Sequence, residues 1–168
     1  MKRIHRIQIP TQSLLNRYTQ PGTYADCYAT RLPGRASHAQ FVEAFYTTLL
    51  FRLERFLLGV FASRPSTNVE ARLLALGERS VFAAWQVEAR APNEVLLSAG
   101  RTRSWLMVVP PAEGSGVDTQ LLFGSAVVPS RHGGLGAGFR ALLGFHRLYS
   151  RALLLSARWR LSSQVRAA

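Results

Sequence analysis

The residues best suited to chemistry in this chain are His146, in the run "LLGFHRLYSRALLL" (142–155), and Asp26, in "YADCYATRL" (24–32). A carboxylate that orients an imidazole also raises its basicity, so the pair has the parts of a general base, with Tyr28 or Tyr149 as a hydroxyl donor. A cyclase- or hydratase-like reaction would use His146 in that way. The same pair could instead be a buried structural link, and His146 could line a ligand cavity without reacting. In every case an inward imidazole must find a partner or a water, because an unpaired buried polar group costs roughly 1 to 3 kcal/mol.

Other chemistry is sparsely supplied. "GLGAGFRA" places Gly136, Gly138 and Ala141 at the spacing of a dinucleotide fingerprint, but it follows antiparallel strands and lies too near the C-terminus for a second βα half. There is no phosphate-binding loop, no G-x-S-x-G elbow and no H-E-x-x-H. The histidines at 5, 38, 132 and 146 are scattered and Cys27 is solitary, so neither a metal site, a disulfide nor a cofactor is expected. Hydrophobic residues at 48% and charged ones at 18% exclude a disordered chain and leave few ionic groups for catalysis.

The formal charge of +12 comes almost entirely from arginine, Lys2 standing alone against 20 arginines. A compositional bias explains that as well as a polyanionic partner does, which makes nucleic acid the weaker reading. "MKRIHRIQIPTQSLL" lacks the apolar core of a signal peptide. "FYTTLLFRLERFLLGVF" (45–61) carries Arg52, Glu54 and Arg55 at its middle, and no stretch approaches the roughly 20 apolar residues that span a bilayer. The expectation is a soluble, cytoplasmic, basic protein.

The elements that must position His146 and Asp26 follow from periodicity. Residues 1–23 read as an N-terminal segment ending in the turn "QPGT", 24–163 as one domain, and 164–168 as a tail. "YADCYATRL" reads as a strand stopped by Pro33-Gly34. Ser37 and Gln40 form a capping box that opens a helix over 38–62, with Phe41, Phe45, Leu49, Leu53, Phe56 and Val60 as its buried stripe. A shorter helix fits "NVEARLLALG", with Asn68 as N-cap and Gly77 past its end. The period then changes to 2. "SVFAAWQVEAR" (80–90) reads as one strand with Val81, Ala83, Trp85 and Val87 on one face and Gln86, Glu88 and Arg90 on the other. "VLLSAG", "TRSWLMVV" and "VDTQLLFGSAVV" follow, joined by turns too short for crossover helices and therefore antiparallel.

A final helix over 135–163 would be about 43 Å long. At 100° per residue Arg140, Arg147, Arg151 and Arg158 fall within roughly 20° of one line, a basic stripe suited to an anionic partner or simply to solvent. About 120° away lie Phe139, Leu142, His146, Leu153 and Ala157, so His146 faces what the helix packs on.

In this order of elements the chain resembles the helix-grip fold of the START-like superfamily, which includes polyketide cyclases, lipid-transfer domains and relatives of the birch-pollen allergen. More narrowly, "YADCYATRLPG" and "FHRLYSRALL" resemble a small bacterial family catalogued as a domain of unknown function. The resemblance covers residues 24–160 and implies an α+β fold, a curved antiparallel sheet wrapped around a long C-terminal helix with a cavity between them. Asp26, His146 and Arg147 are the matched positions, and no reaction comes with them. The favoured reading is a cavity for an apolar small molecule, with walls at Phe41, Phe45, Trp85, Trp105, Phe123, Leu142 and His146, chosen because their periodicity points them inward.

Overall fold

Side-chain alternation along the strands divides the molecule into two faces, and each face acquires its own cover. The computed structural model describes residues 4–52, 66–111, 118–129 and 137–167. Its strands are β1 (His5–Arg6), β2 (Tyr24–Leu32), β3 (Val81–Phe82), β4 (Trp85–Ala91), β5 (Glu94–Ala99), β6 (Thr102–Val109) and β7 (Thr119–Val127). They form one open antiparallel seven-stranded sheet in the order β1-β2-β7-β6-β5-β4-β3. Three helices are described, α1 (His38–Tyr46), α2 (Asn68–Leu76) and α3 (Ala137–Ala167). The fold is α+β, and both sheet edges are strands of only two residues, short enough to offer little template for pairing with another chain.

On the first face, α3 packs across β2 and β7 with α1 beside it, and α2 packs on α1. Tyr28, Leu32, Leu106, Val108, Leu121 and Phe123 point up from the strands into Phe41, Phe45 and Tyr46 of α1 and Leu153, Leu154 and Ala157 of α3. The second face buries Cys27, Ala29, Leu96, Trp105, Leu122 and Ala126 beneath Leu15, which sits on a 3₁₀ helix over Leu14–Tyr18. The N-terminal segment thus belongs to the packed body. Glu94 pins it, its Oε2 accepting from the Leu14 N–H at 2.9 Å and from the Trp105 indole at 2.6 Å. Gly124 makes room for it, since a Cβ there would overlap the Leu15 Cδ2 methyl and lie 3.0 Å from Trp105.

Several expected elements change. The helix starting at Ser37 has its capping box but ends at Tyr46, and a new helical turn begins at residue 49. The cause lies in two threonines. Thr47 Oγ1 donates back to the Glu43 carbonyl at 2.6 Å, while Thr48 Oγ1 donates to the Phe45 carbonyl and accepts from the Phe51 N–H at 3.2 Å, acting as a fresh N-cap. Leu49, placed in the buried stripe by periodicity, is consequently 80% exposed. Leu53, Phe56 and Val60 lie outside the described residues. The cap of α2 is Thr67, whose hydroxyl accepts from Glu70 N–H, so Asn68 is already its first helical residue.

The stretch 80–90 is a hairpin rather than one strand. Phe82 pairs with Trp85 across Ala83-Ala84, and Ala83 turns the chain at φ 52°. Beyond it a bulge between Val87 and Ala89 reverses the parity of β4. Glu88 therefore stays on the second face, where it pairs with Arg103 Nε at 2.7 Å, and Arg90 swings to the helical face to donate to the Leu74 carbonyl at the end of α2. That placement overturns the expectation that Arg90 lies opposite Trp85.

Candidate functional site

Strand register builds the site. Asp26 on β2 pairs with Ser125 on β7, and Ser125 pairs with Ser104 on β6, so three polar side chains lie in one row across the middle of the first face. His146 comes down on this row from α3. Ser125 Oγ donates to Asp26 Oδ1 at 2.7 Å and lies 2.8 Å from His146 Nε2. A hydroxyl has one hydrogen, and Ser125 gives it to the carboxylate, so His146 Nε2–H is the donor in the second bond. Tyr24 completes the carboxylate, donating to Asp26 Oδ2 at 2.7 Å, and its ring meets the imidazole edge-on at 5.7 Å. Ser104 Oγ lies 3.2 Å from the Tyr46 hydroxyl.

Burial sets the protonation of this group. Desolvation holds His146 below the ordinary imidazole range, with Asp26 opposing and Arg147 adding to the effect. Tyr24 is pushed up to about 12, first by burial and then by its bond to Asp26. Its phenol remains a donor and not a base. Cys27, on the second face, is likewise pushed up to about 12 by burial and carries no reactive thiolate.

The order of the chain restricts the chemistry. In a serine hydrolase the imidazole stands between carboxylate and hydroxyl and takes the hydroxyl proton. Here the serine stands between carboxylate and imidazole, and its proton points away from His146. Ser125 is thus a relay that fixes the imidazole and not an activated nucleophile.

Beside this row opens a cleft of about 300 Å³. Phe45, Phe51, Trp85, Phe123 and Leu153 give it an apolar wall, while Thr102, Ser104, Ser125, His146, Tyr149 and Ser150 give it a polar one. The Trp85 indole N–H is buried without a hydrogen-bond partner among the described residues. Again among the described residues, no group of three or more His, Cys, Asp or Glu side chains could hold a metal, and no helix is long and apolar enough to cross a membrane.

Of the walls expected from periodicity, Phe45, Trp85, Phe123 and His146 converge on the cleft. Phe41 is fully buried behind Phe45, ring centroids 6.2 Å apart, and does not reach it. Trp105 lies on the opposite face of the sheet, because its odd position in β6 alternates with Ser104 and Leu106. Leu142 and Arg140 stand in α3 with side chains outside the described residues. Asp26 and His146 are brought together through Ser125 rather than directly, Tyr24 donates to the carboxylate, and the Tyr28 phenol is pushed up first by burial and then by Asp26. Tyr149 lines the cleft, whereas Tyr28 borders a surface groove. Residue type alone does not single out Ser125, although its parity with Leu121 and Phe123 in "LLFGSAV" puts it on the helical face.

The arginine stripe runs along β2, inside the β1 edge of the sheet. Arg147 Nε donates to the Tyr24 hydroxyl at 3.4 Å, Arg158 Nε donates to the Arg31 carbonyl at 2.9 Å, and Arg151 is exposed.

No family model matches the chain, and no curated protein is significantly similar to it. Two solved structures are similar in outline. One is a conserved protein of unknown function from Enterococcus faecalis, 11% identical over 89% of both chains with a TM-score of 0.36. The other is a structural-genomics target from Rhodobacter sphaeroides, 15% identical over 84% of this chain and 92% of that one, with a TM-score of 0.37.

Proposed function

We propose that this is a helix-grip binding protein whose cleft takes a compact small molecule with an apolar body and an oxygen-bearing end. The observation that carries the reading is the two-sided lining of the cleft, aromatic along Phe45, Phe51, Trp85 and Phe123 and hydrogen-bonding along Ser104, Ser125 and His146. Ligand sites have this composition, a mainly apolar wall with a few fixed polar groups, and about 300 Å³ is at the small end of their range. The relay from Asp26 through Ser125 holds the His146 ring before any ligand arrives, which lowers the ordering cost of binding.

A second reading, catalysis of the cyclase or hydratase kind with His146 as base, has one specific support. The imidazole lines the cleft and burial favours its neutral, proton-accepting form.

Native and then denaturing mass spectrometry of the purified protein tests binding first. We expect a small molecule released on unfolding, and its loss in Ala99→Phe, which fills the cleft from a half-buried position. A ligand-free mass, together with no thermal protection by a panel of ring-bearing carbonyl compounds, would remove the binding reading. Turnover of any such compound that disappears in a folded His146→Ala variant would establish the catalytic one.

A further inference from the structure

The side of α3 turned away from the sheet has a pattern that the cleft does not use. Phe145, Leu148, Ala152, Leu155 and Trp159 recur at steps of three and four, about 21 Å of one continuous seam. Three of them are open to solvent, Phe145 at 66%, Leu148 at 66% and Trp159 at 62%. At 100° per residue the seam lies on the reverse of the buried row Ser150, Leu153, Leu154 and Ala157, so packing on the sheet does not account for it. A groove lined by Leu49 and Trp159 continues it.

Charge identifies the occupant. On one flank of the seam, Arg6 of β1 joins Arg147 and Arg151 of α3 in a groove that also includes Leu148, and among the described residues no acidic side chain lines it. Arg160 lies beside Trp159 on the other flank. A helix resting in the plane of a bilayer needs this arrangement, with Phe, Leu and Trp entering the acyl boundary and arginines at the sides reaching headgroup phosphates.

We propose that the outward face of α3 docks the protein on an anionic phospholipid surface, through Phe145, Leu148 and Trp159 inserted and Arg6, Arg147 and Arg151 on the headgroups. A second copy of the chain fits less well, because each copy has a formal charge of +12 and would set its arginine groove against like charge. Nucleic acid would use the arginines but would leave Leu148 and Leu155 without a partner. The inference stands apart from the cleft and does not require it to be occupied.

The chain has its own reporter. Of its three tryptophans, Trp85 and Trp105 are buried and Trp159 is exposed. The full-length protein is mixed with vesicles of phosphatidylcholine alone and with vesicles that also contain phosphatidylglycerol, and flotation and tryptophan emission are followed. We expect flotation with the anionic vesicles only, with a blue shift that vanishes in Trp159→Ala. Phe145→Ser with Leu148→Ser should weaken vesicle binding at least about tenfold, and Arg6→Gln with Arg151→Gln by about tenfold or more, both without loss of fold. Failure to float with either vesicle overturns the proposal, as does flotation indifferent to the Phe145 and Leu148 changes. Binding of an RNA oligonucleotide with unshifted emission and no vesicle binding would replace it with a nucleic-acid surface. A blue shift that grows with protein concentration in the absence of vesicles, accompanied by a dimer mass, would replace it with self-association.

Discussion

The hydrogen of one hydroxyl decides the character of the polar row. Because Ser125 gives it to Asp26, the imidazole of His146 is oriented as a donor toward the sheet. Ser125→Ala removes a partner from both neighbours, and we expect it to cost about 1 to 3 kcal/mol in chemical denaturation. The pH dependence has a definite sign. His146 and His38 are both held below their ordinary 6.5, each first by burial, His38 against the opposing effect of its bond to the Leu106 carbonyl. The unfolded chain therefore takes up protons first as the pH falls, so this stability is fully present above about 6.5 and is lost below it until the folded imidazoles also protonate. Thermal midpoints measured from about pH 7 down to about pH 5 should fall, and His146→Gln should flatten that fall while its amide N–H keeps the bond to Ser125. A midpoint independent of pH in this window would contradict the assignment. Asp26 and His146 were legible in the sequence because residues of their type are scarce there. Ser125 was not, because an isolated serine in an apolar strand reads as a small filler until register sets it between two ionisable groups.

At the level of elements, agreement between sequence and structure tracks how local the decisive interactions are. β2 and β6 run over the residues that strand formers and turn signals mark out, and the capping box of α1 forms as its spacing predicts, whereas α2 is capped one residue earlier than expected, by Thr67. Departures occur where a side chain competes with the backbone or the backbone bends without a marker residue. Thr48 ends one helix and starts another by exchanging hydroxyl bonds, which the apolar spacing of Phe41, Phe45 and Leu49 conceals. Thr48→Ala should lower stability by about 1 kcal/mol, as for loss of an N-cap, and Thr48→Ser should restore it. The hairpin at Ala83-Ala84 has no Gly or Asn to announce it, and the bulge after Val87 has no sequence signature at all. Both matter to the site, because they set Trp85 in the cleft wall and send Arg90 to the end of α2.

For the molecule as a whole, the N-terminal residues are a second cover that shields the face opposite the helices. Gly124 and Leu15 interlock there, and we expect Gly124→Ala to cost about 1 to 3 kcal/mol through overpacking. In Gly124→Ala with Leu15→Ala the added methyl occupies space the leucine vacates, so the two penalties should fall short of additive in a double-mutant cycle. Strict additivity would show that the two residues do not touch in solution. The sheet order has a consequence in time as well. β2 lies between β1 and β7, and its contact with β1 is only two residues long, whereas Leu32 waits for Thr119 and Tyr24 for Val127. A ribosome adding about 5 to 20 residues per second needs on the order of ten seconds to pass from one partner to the other. Throughout that interval the emerging chain carries an almost unpaired nine-residue strand with Cys27, Tyr28 and Ala29 uncovered. Nascent-chain solubility should therefore be set by how β2 is sheltered during synthesis, and yield should rise when elongation past β6 is quickened or a chaperone occupies the strand.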